Sequence, residues 1–347
     1  MKAAEKAERR QSVDNDEYIL RVEGLVKHFP IRSGLLRRQV GKIHAVDEVD
    51  LTLRPGETLG VVGESGCGKS TLARTIIRLI EPTAGRIVFD GEDITAFDRN
   101  ELRKVRRNMQ FVFQDPFASL DPRMTVRKIV AEPLHIHGLY EERGGDDRVR
   151  ELLETVHLSP EHANRFPHEF SGGQRQRIGV ARALALDPKL LLLDEPVSAL
   201  DVSIQAQVIN LLKEIQQQFG IAYIFIAHDL SVVRHISERI AVMYLGKIVE
   251  TGTRRDIYER PTHPYTQSLM SAAPIPNPEH RDKGGRIVLE GDVPNPAHPP
   301  SGCRFRTRCW KAEEICAHEV PELIDRDHGH PSACHFAEVK PVVSERT

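Results

Sequence analysis

Gly63-Glu64-Ser65-Gly66-Cys67-Gly68-Lys69-Ser70 fits G-x-x-x-x-G-K-[ST], the spacing of a loop that cradles phosphate. Glu57 to Val62 before it reads as a short buried strand, and Thr71 to Ile80 after it has helical periodicity. That strand, loop and helix context is the one the motif needs. The glycines admit backbone conformations that a side chain would block, so successive N–H groups can converge on phosphate oxygens while the helix N-terminus adds partial positive charge. On this reading Lys69 reaches the β- and γ-phosphates and the Ser70 hydroxyl is a magnesium ligand. The bland alternative, a glycine-rich turn with an exposed lysine, requires neither flank.

A chain of 347 residues with 40% hydrophobic residues can fill the cores of two or more domains. Its formal net charge of -2 gives no overall attraction to nucleic acid or an anionic membrane. The basic run Arg103 to Arg107 reads as a solvated helix face. No apolar run approaches the roughly 18 residues that span a bilayer, and the polar stretch Met1 to Asp16 has no hydrophobic signal region, so a cytoplasmic protein is expected. Four of the five cysteines fall in the last 45 residues, which directs attention to metal chemistry rather than disulfides.

Residues 1–17 are charged and aperiodic and are expected to form a disordered leader. Tyr18 to Glu23 and Ala45 to Leu53 alternate apolar with polar residues, predicting an antiparallel β layer ahead of the loop. Between them lie His28-Phe29-Pro30 and a basic insertion from Arg32 to Lys42. Phe29 is either a core aromatic or a platform on which a base stacks. Gly85 to Gly91 and Met109 to Phe113 read as further strands, the second ending at Gln114. From Asp115 to Phe170 prolines 116, 122 and 133 punctuate a mostly helical insert, in which Val149, Leu152, Leu153 and Val156 share one helix face.

Ser171-Gly172-Gly173-Gln174 opens a long helix ending near Asp187-Pro188. It is either a simple helix cap or a second anion site. Leu190 to Leu193 is an apolar strand ending in Asp194-Glu195, the look of a buried parallel strand whose carboxyl end binds ligand. Asp194 is placed to hold magnesium through water, and Glu195 to lie beside an attacking water. After Ser198-Ala199-Leu200-Asp201 and a helix to Phe219, the strand Ile221 to Ala227 delivers His228, which is structural or catalytic on the residues alone.

Taken in this order, the phosphate loop, Gln114, Ser171 to Gln174, Asp194-Glu195, Ser198 to Asp201 and His228 resemble the nucleotide-binding subunit of ABC transporters over about residues 18–260. The resemblance implies an α/β fold: a P-loop NTPase (RecA-like) core with an antiparallel β subdomain, a helical ABC subdomain at about 115–185, and a small C-terminal cysteine-containing domain over 261–347. It assigns ATP contacts to Phe29, Gly63, Glu64, Ser65, Gly66, Cys67, Gly68, Lys69, Ser70 and Thr71, and magnesium to Ser70, Gln114 and Asp194. Two subunits of this family bury two ATP molecules at their interface, so Ser171, Gly172, Gly173 and Gln174 would act on nucleotide held by the partner, with Asp201 joining the two sites. Glu195 would polarise the water, His228 contact the γ-phosphate, Lys69 offset phosphate charge, and Gln114 link nucleotide state to the helical insert.

His263-Pro264-Tyr265-Thr266-Gln267-Ser268-Leu269 and the wording of the phosphate loop are similar to the oligopeptide and dipeptide importer ATPases, F-type member. That implies a D-type sister ATPase, two membrane permeases and an external or periplasmic peptide-binding protein, with this subunit peripheral on the cytoplasmic face of the membrane. Cys303, Cys309, Cys316 and Cys334 offer four thiolates within 32 residues, for an iron-sulfur cluster, a zinc ion or no metal at all. Such importers resemble this chain in carrying a C-terminal cysteine cluster, and some hold a 4Fe-4S cluster there. Two further readings are a transporter of nickel or another solute, and a soluble ABC ATPase acting on nucleic acid or ribosomes. The chain has one nucleotide domain and neither a coiled-coil nor a DNA-binding insertion, against the last.

Overall fold

The computed structural model describes residues 17–34, 38–115, 119–272 and 287–340, whose contacts define two compact units. The leader expected over residues 1–17 lies outside the described residues except for Glu17, whose carboxylate accepts from the Arg54 guanidinium at 2.7 Å. In chain order the strands are β1 (Leu20–Ser33), β2 (Arg38–Leu53), β3 (Thr58–Val62), β4 (Ala84–Phe89), β5 (Glu92–Asp93), β6 (Met109–Val112), β7 (Leu190–Asp194), β8 (Ala222–Ala227), β9 (Arg239–Tyr244), β10 (Lys247–Thr253), β11 (Ile324–Asp325) and β12 (Pro331–Ser332).

One unit comprises Arg21–Thr52, Leu59–Val88 and the chain from Ala227 onward. Here β1 lies between β2 and β4. Both strands of the hairpin outrun their apolar alternation: β1 continues to Ser33 and β2 starts at Arg38. His28, Phe29 and Pro30, and the described part of the basic insertion, are therefore strand ends rather than a loop; residues 35–37 lie outside the described residues. The far ends are solvated on both faces, so backbone pairing continues where no buried face leaves a pattern in the sequence.

In the second sheet of this unit β3 runs parallel to β9, with Leu59 opposite Arg239 and Val62 opposite Val242. β10 returns antiparallel to β9, and β12 adds to β10 through Glu250 opposite Ser332. The C-terminal segment thus enters the sheet by main-chain pairing. All five residues of β3 are buried, as a strand covered on both faces requires. The helix after the phosphate loop, Lys69–Ile76, stops short of the Ile80 that its periodicity predicts. Arg78 adopts a left-handed φ of 56°, ending the turn, and its guanidinium pairs with Glu81 at 2.6 Å.

The other unit contains Leu53–Thr58 and Phe89–Ile226. β6, β7 and β8 run parallel, with Leu190 registered on Met109 and on Ala222. Every residue of β7 and β8 is buried, which explains their unbroken apolar sequence. The helices Val126–His137, Gly145–Thr155 and Gly172–Leu184 pack on one another. Val149, Leu152, Leu153 and Val156 are buried together as their spacing predicts. Pro133 lies inside the first of these helices rather than punctuating the chain. One i to i−4 hydrogen bond is lost there, while Ile129, Val130 and Leu134 bury fully around it.

Candidate active site

The phosphate loop follows β3 directly, and its geometry is set by what surrounds each backbone atom. Gly68 has φ 112°, and a Cβ there would lie 2.0 Å from the Ala45 carbonyl oxygen, so no other residue fits. It is also the N-cap of Lys69–Ile76; lacking a side chain, it leaves the first N–H groups of the helix to a ligand. Lys69 is only 4% exposed, and its ammonium donates to the carbonyl oxygens of Gly63 at 2.7 Å and Glu64 at 3.0 Å. An ammonium has three hydrogens, so these two bonds fix the head group while a further hydrogen can meet phosphate. The Cys67 carbonyl accepts from the Gly246 N–H at 2.8 Å, and the Cys67 thiol is pushed up by burial, which makes it a small inert filler. Ser65 and Gly66 are exposed at the loop tip, whereas Ser70 and Thr71 are half-buried in the first helical turn.

Besides Gly246, two residues of the C-terminal segment reach this loop from far along the chain. The Glu64 N–H donates to the Tyr265 hydroxyl at 2.8 Å, and the Glu64 carboxylate accepts a two-pronged pair from Arg308 at 2.7 and 3.2 Å. The sequence reading assigned neither residue; the available signal was the tail motif around Tyr265 and the arginines between Cys303 and Cys309. Phe29 is half-buried on β1, with the Lys27 ammonium 5.0 Å above its ring centroid, and is not part of the core. His228 is exposed between β8 and the helix Leu230–Ile236.

In the other unit β7 ends on Asp194, which is fully buried. Glu195 then takes φ 47°, a conformation rare outside glycine, while its N–H donates to the Ile226 carbonyl at 3.0 Å. The twist turns its side chain toward Gln114, whose Nε2 donates to Glu195 Oε2 at 2.8 Å. Ser198 closes the following turn with Oγ donating to the Glu195 carbonyl at 3.1 Å. Asp201 is exposed as N-cap of the helix Val202–Phe219.

Ser171 is the N-cap of Gly172–Leu184, with a reciprocal box: Ser171 Oγ accepts from the Gln174 N–H at 3.3 Å, and Gln174 Oε1 accepts from the Ser171 N–H at 3.0 Å. The cap leaves the Ser171 hydroxyl proton available to an anion, so the two readings of this stretch are compatible. A Cβ on Gly173 would sit 2.4 Å from Ile204 Cγ2, so this glycine also serves close packing between two helices.

The other four cysteines occupy the C-terminal segment, and none of the five is in a disulfide. Burial pushes the thiols of Cys303 and Cys334 up to about 11, and the remaining cysteines add to the shift at both. Among the described residues, the potential metal-ligand atoms that lie in threes within 4.8 Å of one another belong to His28, His44 and Asp47. There the Arg304 guanidinium already binds the Asp47 carboxylate, which also accepts from His28 at 2.9 Å. A cation would have to displace the buried guanidinium, so this cluster is an ion-pair network.

Known proteins resemble this chain in sequence and fold. A family model described as ABC transporter matches residues 46–198, and one for the C-terminal region of oligopeptide/dipeptide transporters matches residues 249–316. The oligopeptide transport ATP-binding protein AppF of Bacillus subtilis is 56% identical over 93% of this chain and 98% of its own length. A probable peptide ABC transporter ATP-binding protein, y4tS of Sinorhizobium fredii, is 52% identical over 91% of this chain and 89% of its own. Among solved structures, the dimeric ATP-binding cassette MJ0796 bound to ADP and phosphate superposes with a TM-score of 0.59 at 32% identity, covering 68% of this chain and 99% of that one. The component cbiO1 of an ABC transporter complex from Clostridium perfringens does so with a TM-score of 0.58 at 27% identity, covering 70% and 91%. Among the described residues no helix is long and apolar enough to cross a membrane. With its mixed α/β P-loop fold and its C-terminal region both matched, the chain belongs to the ATP-hydrolysing subunits of the oligopeptide/dipeptide ABC transporter family.

Proposed function

We propose that the chain hydrolyses ATP to drive import of dipeptides or oligopeptides through separate membrane permeases. The observation that carries the hydrolytic part is the Gln114 to Glu195 hydrogen bond of 2.8 Å, which holds a carboxylate at the end of a buried parallel strand. The peptide cargo is supported by the names of the relatives AppF and y4tS and by the match of the C-terminal region.

In this reading water attacks the γ-phosphate in line, and the protein acts by positioning groups and neutralising charge. Glu195 accepts the water's proton or orients it, Gln114 fixes the Glu195 carboxylate, and His228 donates to the γ-phosphate. Lys69 binds phosphate oxygens from its seat on the Gly63 and Glu64 carbonyls. Magnesium supplies positive charge when bound, and Ser70, Gln114 and Asp194 are the residues we assign to it. Phe29 stacks adenine, which its half-buried ring supports. Ser171, Gly172, Gly173 and Gln174 act on nucleotide held by the partner cassette, with Asp201 beside them at the interface.

We assign residues 18–260 to the nucleotide-binding part and 261–347 to the C-terminal part. The partners are a D-type sister ATPase, two permeases and an external peptide-binding protein, which place this subunit on the cytoplasmic face of the membrane. The four cysteines are assigned to a 4Fe-4S cluster. Four buried or half-buried thiols within 32 residues, with no disulfide among them, support a metal group there.

The test is uptake of labelled dipeptides and longer peptides by intact cells lacking the native gene, comparing native protein with Glu195→Gln at equal expression. Loss of uptake in the variant ties hydrolysis here to peptide import. Equal uptake refutes the cargo, and labelled nickel is then the next solute.

A further inference from the structure

Two of the phosphate loop's holdfasts lie outside the C-terminal segment: the Lys69 ammonium on the Gly63 and Glu64 carbonyls, which is local, and the Gly246 N–H from the turn between β9 and β10 on the Cys67 carbonyl. The third comes from the C-terminal segment and converges on one residue. Tyr265 takes the Glu64 N–H, and Arg308 grips the Glu64 carboxylate with two N–H groups. These partners lie 201 and 244 residues away in sequence.

Their aim is fixed by packing. Phe305, 1% exposed, sets its ring against those of Tyr265 and Tyr244, with centroids 5.5 and 5.3 Å apart. Arg308 follows one turn later, its side chain 9% exposed against 26% for Glu64. A fork-shaped pair with this little solvent is worth more than a surface ion pair, because water screens it less and the planar donors match the carboxylate. Burial alone lowers the Arg308 affinity for its proton, but the Glu64 carboxylate outweighs it and the guanidinium is held above its ordinary value.

We propose that Arg308 and Tyr265 are positioning residues for ATP binding: by fixing Glu64 on both backbone and side chain, they fix one of the two carbonyls on which Lys69 rests. A loop rich in left-handed glycines is costly to order, and ordering it before nucleotide arrives converts that cost into affinity. The C-terminal segment thereby becomes part of the ATP-binding apparatus. This rests on the reading of the loop as the ATP site.

The experiment is equilibrium titration of the full-length chain with a fluorescent ATP analogue and magnesium, for native protein, Arg308→Ala, Glu64→Ala, the double variant and Tyr265→Phe, each checked for an unchanged melting temperature. Arg308→Ala and Glu64→Ala should each weaken binding about fivefold, the double variant no more than either alone, and Tyr265→Phe about threefold. Arg308→Lys should recover part of the loss, since a lysine restores charge without the fork. Unchanged affinities, or effects that multiply in the double variant, overturn the proposal. If Arg308→Ala does not fold, Arg308→Lys and Tyr265→Phe decide it. Native protein that binds no nucleotide would refute the ATP-site reading itself, a result separate from loss confined to the variants.

Discussion

Gln114 Nε2 and Glu195 Oε2 lie 2.8 Å apart, joining the ends of two parallel strands, β6 and β7, through their side chains. Glu195 makes this contact from a left-handed backbone, φ 47°, directly after the buried Asp194. A carboxylate held this way is oriented before any water arrives, which is the condition for effective general base or water-positioning work. Glu195→Gln should keep ATP binding while cutting hydrolysis by about a hundredfold or more. Gln114→Ala should lower hydrolysis by roughly ten- to a hundredfold, because the carboxylate is present but no longer held. Phosphate release measured beside nucleotide affinity separates the two effects. Hydrolysis by Glu195→Gln at the native rate would remove Glu195 from the mechanism.

The site residues closest to a local pattern were the most legible in the sequence. β7 and its terminal acids announce themselves as Leu190 to Glu195, since a strand covered on both faces has no polar alternation. Ser171 and Gln174 stand three apart, the spacing of the capping box they form. The hairpin was underestimated because solvated strand ends at Ile31 to Ser33 and Arg38 to Lys42 carry no buried face. Pro133 was misleading, since its local penalty yields to the burial of Ile129, Val130 and Leu134. Arg308 on Glu64 had no sequence period at all: a contact across 244 residues depends on how the segment around Phe305 packs.

Gly68 and Gly173 should respond differently to a methyl group. At Gly173 the obstruction is the tip of a side chain, Ile204 Cγ2 at 2.4 Å, which can be removed. Gly173→Ala should destabilise by about 1–3 kcal/mol, and adding Ile204→Ala should recover much of it. At Gly68 the obstruction is the Ala45 carbonyl at 2.0 Å, with φ 112° besides, and no second substitution relieves it. Gly68→Ala should abolish ATP binding in every background. Denaturant unfolding of the Gly173 pair and nucleotide titration of Gly68→Ala check both, and strictly additive costs at Gly173 and Ile204 would discount the packing account.

Burial, with the neighbouring Cys309 and Cys316, keeps the thiols of Cys303 and Cys334 protonated up to about 11, so a metal group bound there has to displace their protons. Anaerobically purified chain should contain about four irons with acid-labile sulfide, and Cys316→Ser should lose most of both. One zinc per chain, or no metal, would refute the cluster.

Acid should loosen the C-terminal segment through His263. Its ring is buried, Nδ1 accepts from the Tyr265 N–H at 3.0 Å, and burial pulls its pKa down to about 4 despite the upward pull of Glu250. An unfolded histidine titrates near 6.5, so as pH falls the unfolded chain takes up the proton first. The stability this neutral ring confers is present above pH 6.5 and drains away down to about 4. At pH 5 the loss is about 2 kcal/mol. Glu250 acts in the same direction: burial raises its pKa, but bonds from His330 and from the Thr262 N–H and hydroxyl outweigh that and lower it, so its contribution is also lost in acid. His330 acts oppositely, since Glu250 overcomes burial and raises its pKa; its stability holds below 6.5 and is lost as pH rises through the folded value. The window between pH 6.5 and 4 therefore belongs mainly to His263. Urea midpoints at pH 7.5 and 5 should fall for the native chain and fall less for His263→Gln, whose side chain cannot take a proton. Equal falls in the two proteins would place the acid sensitivity elsewhere.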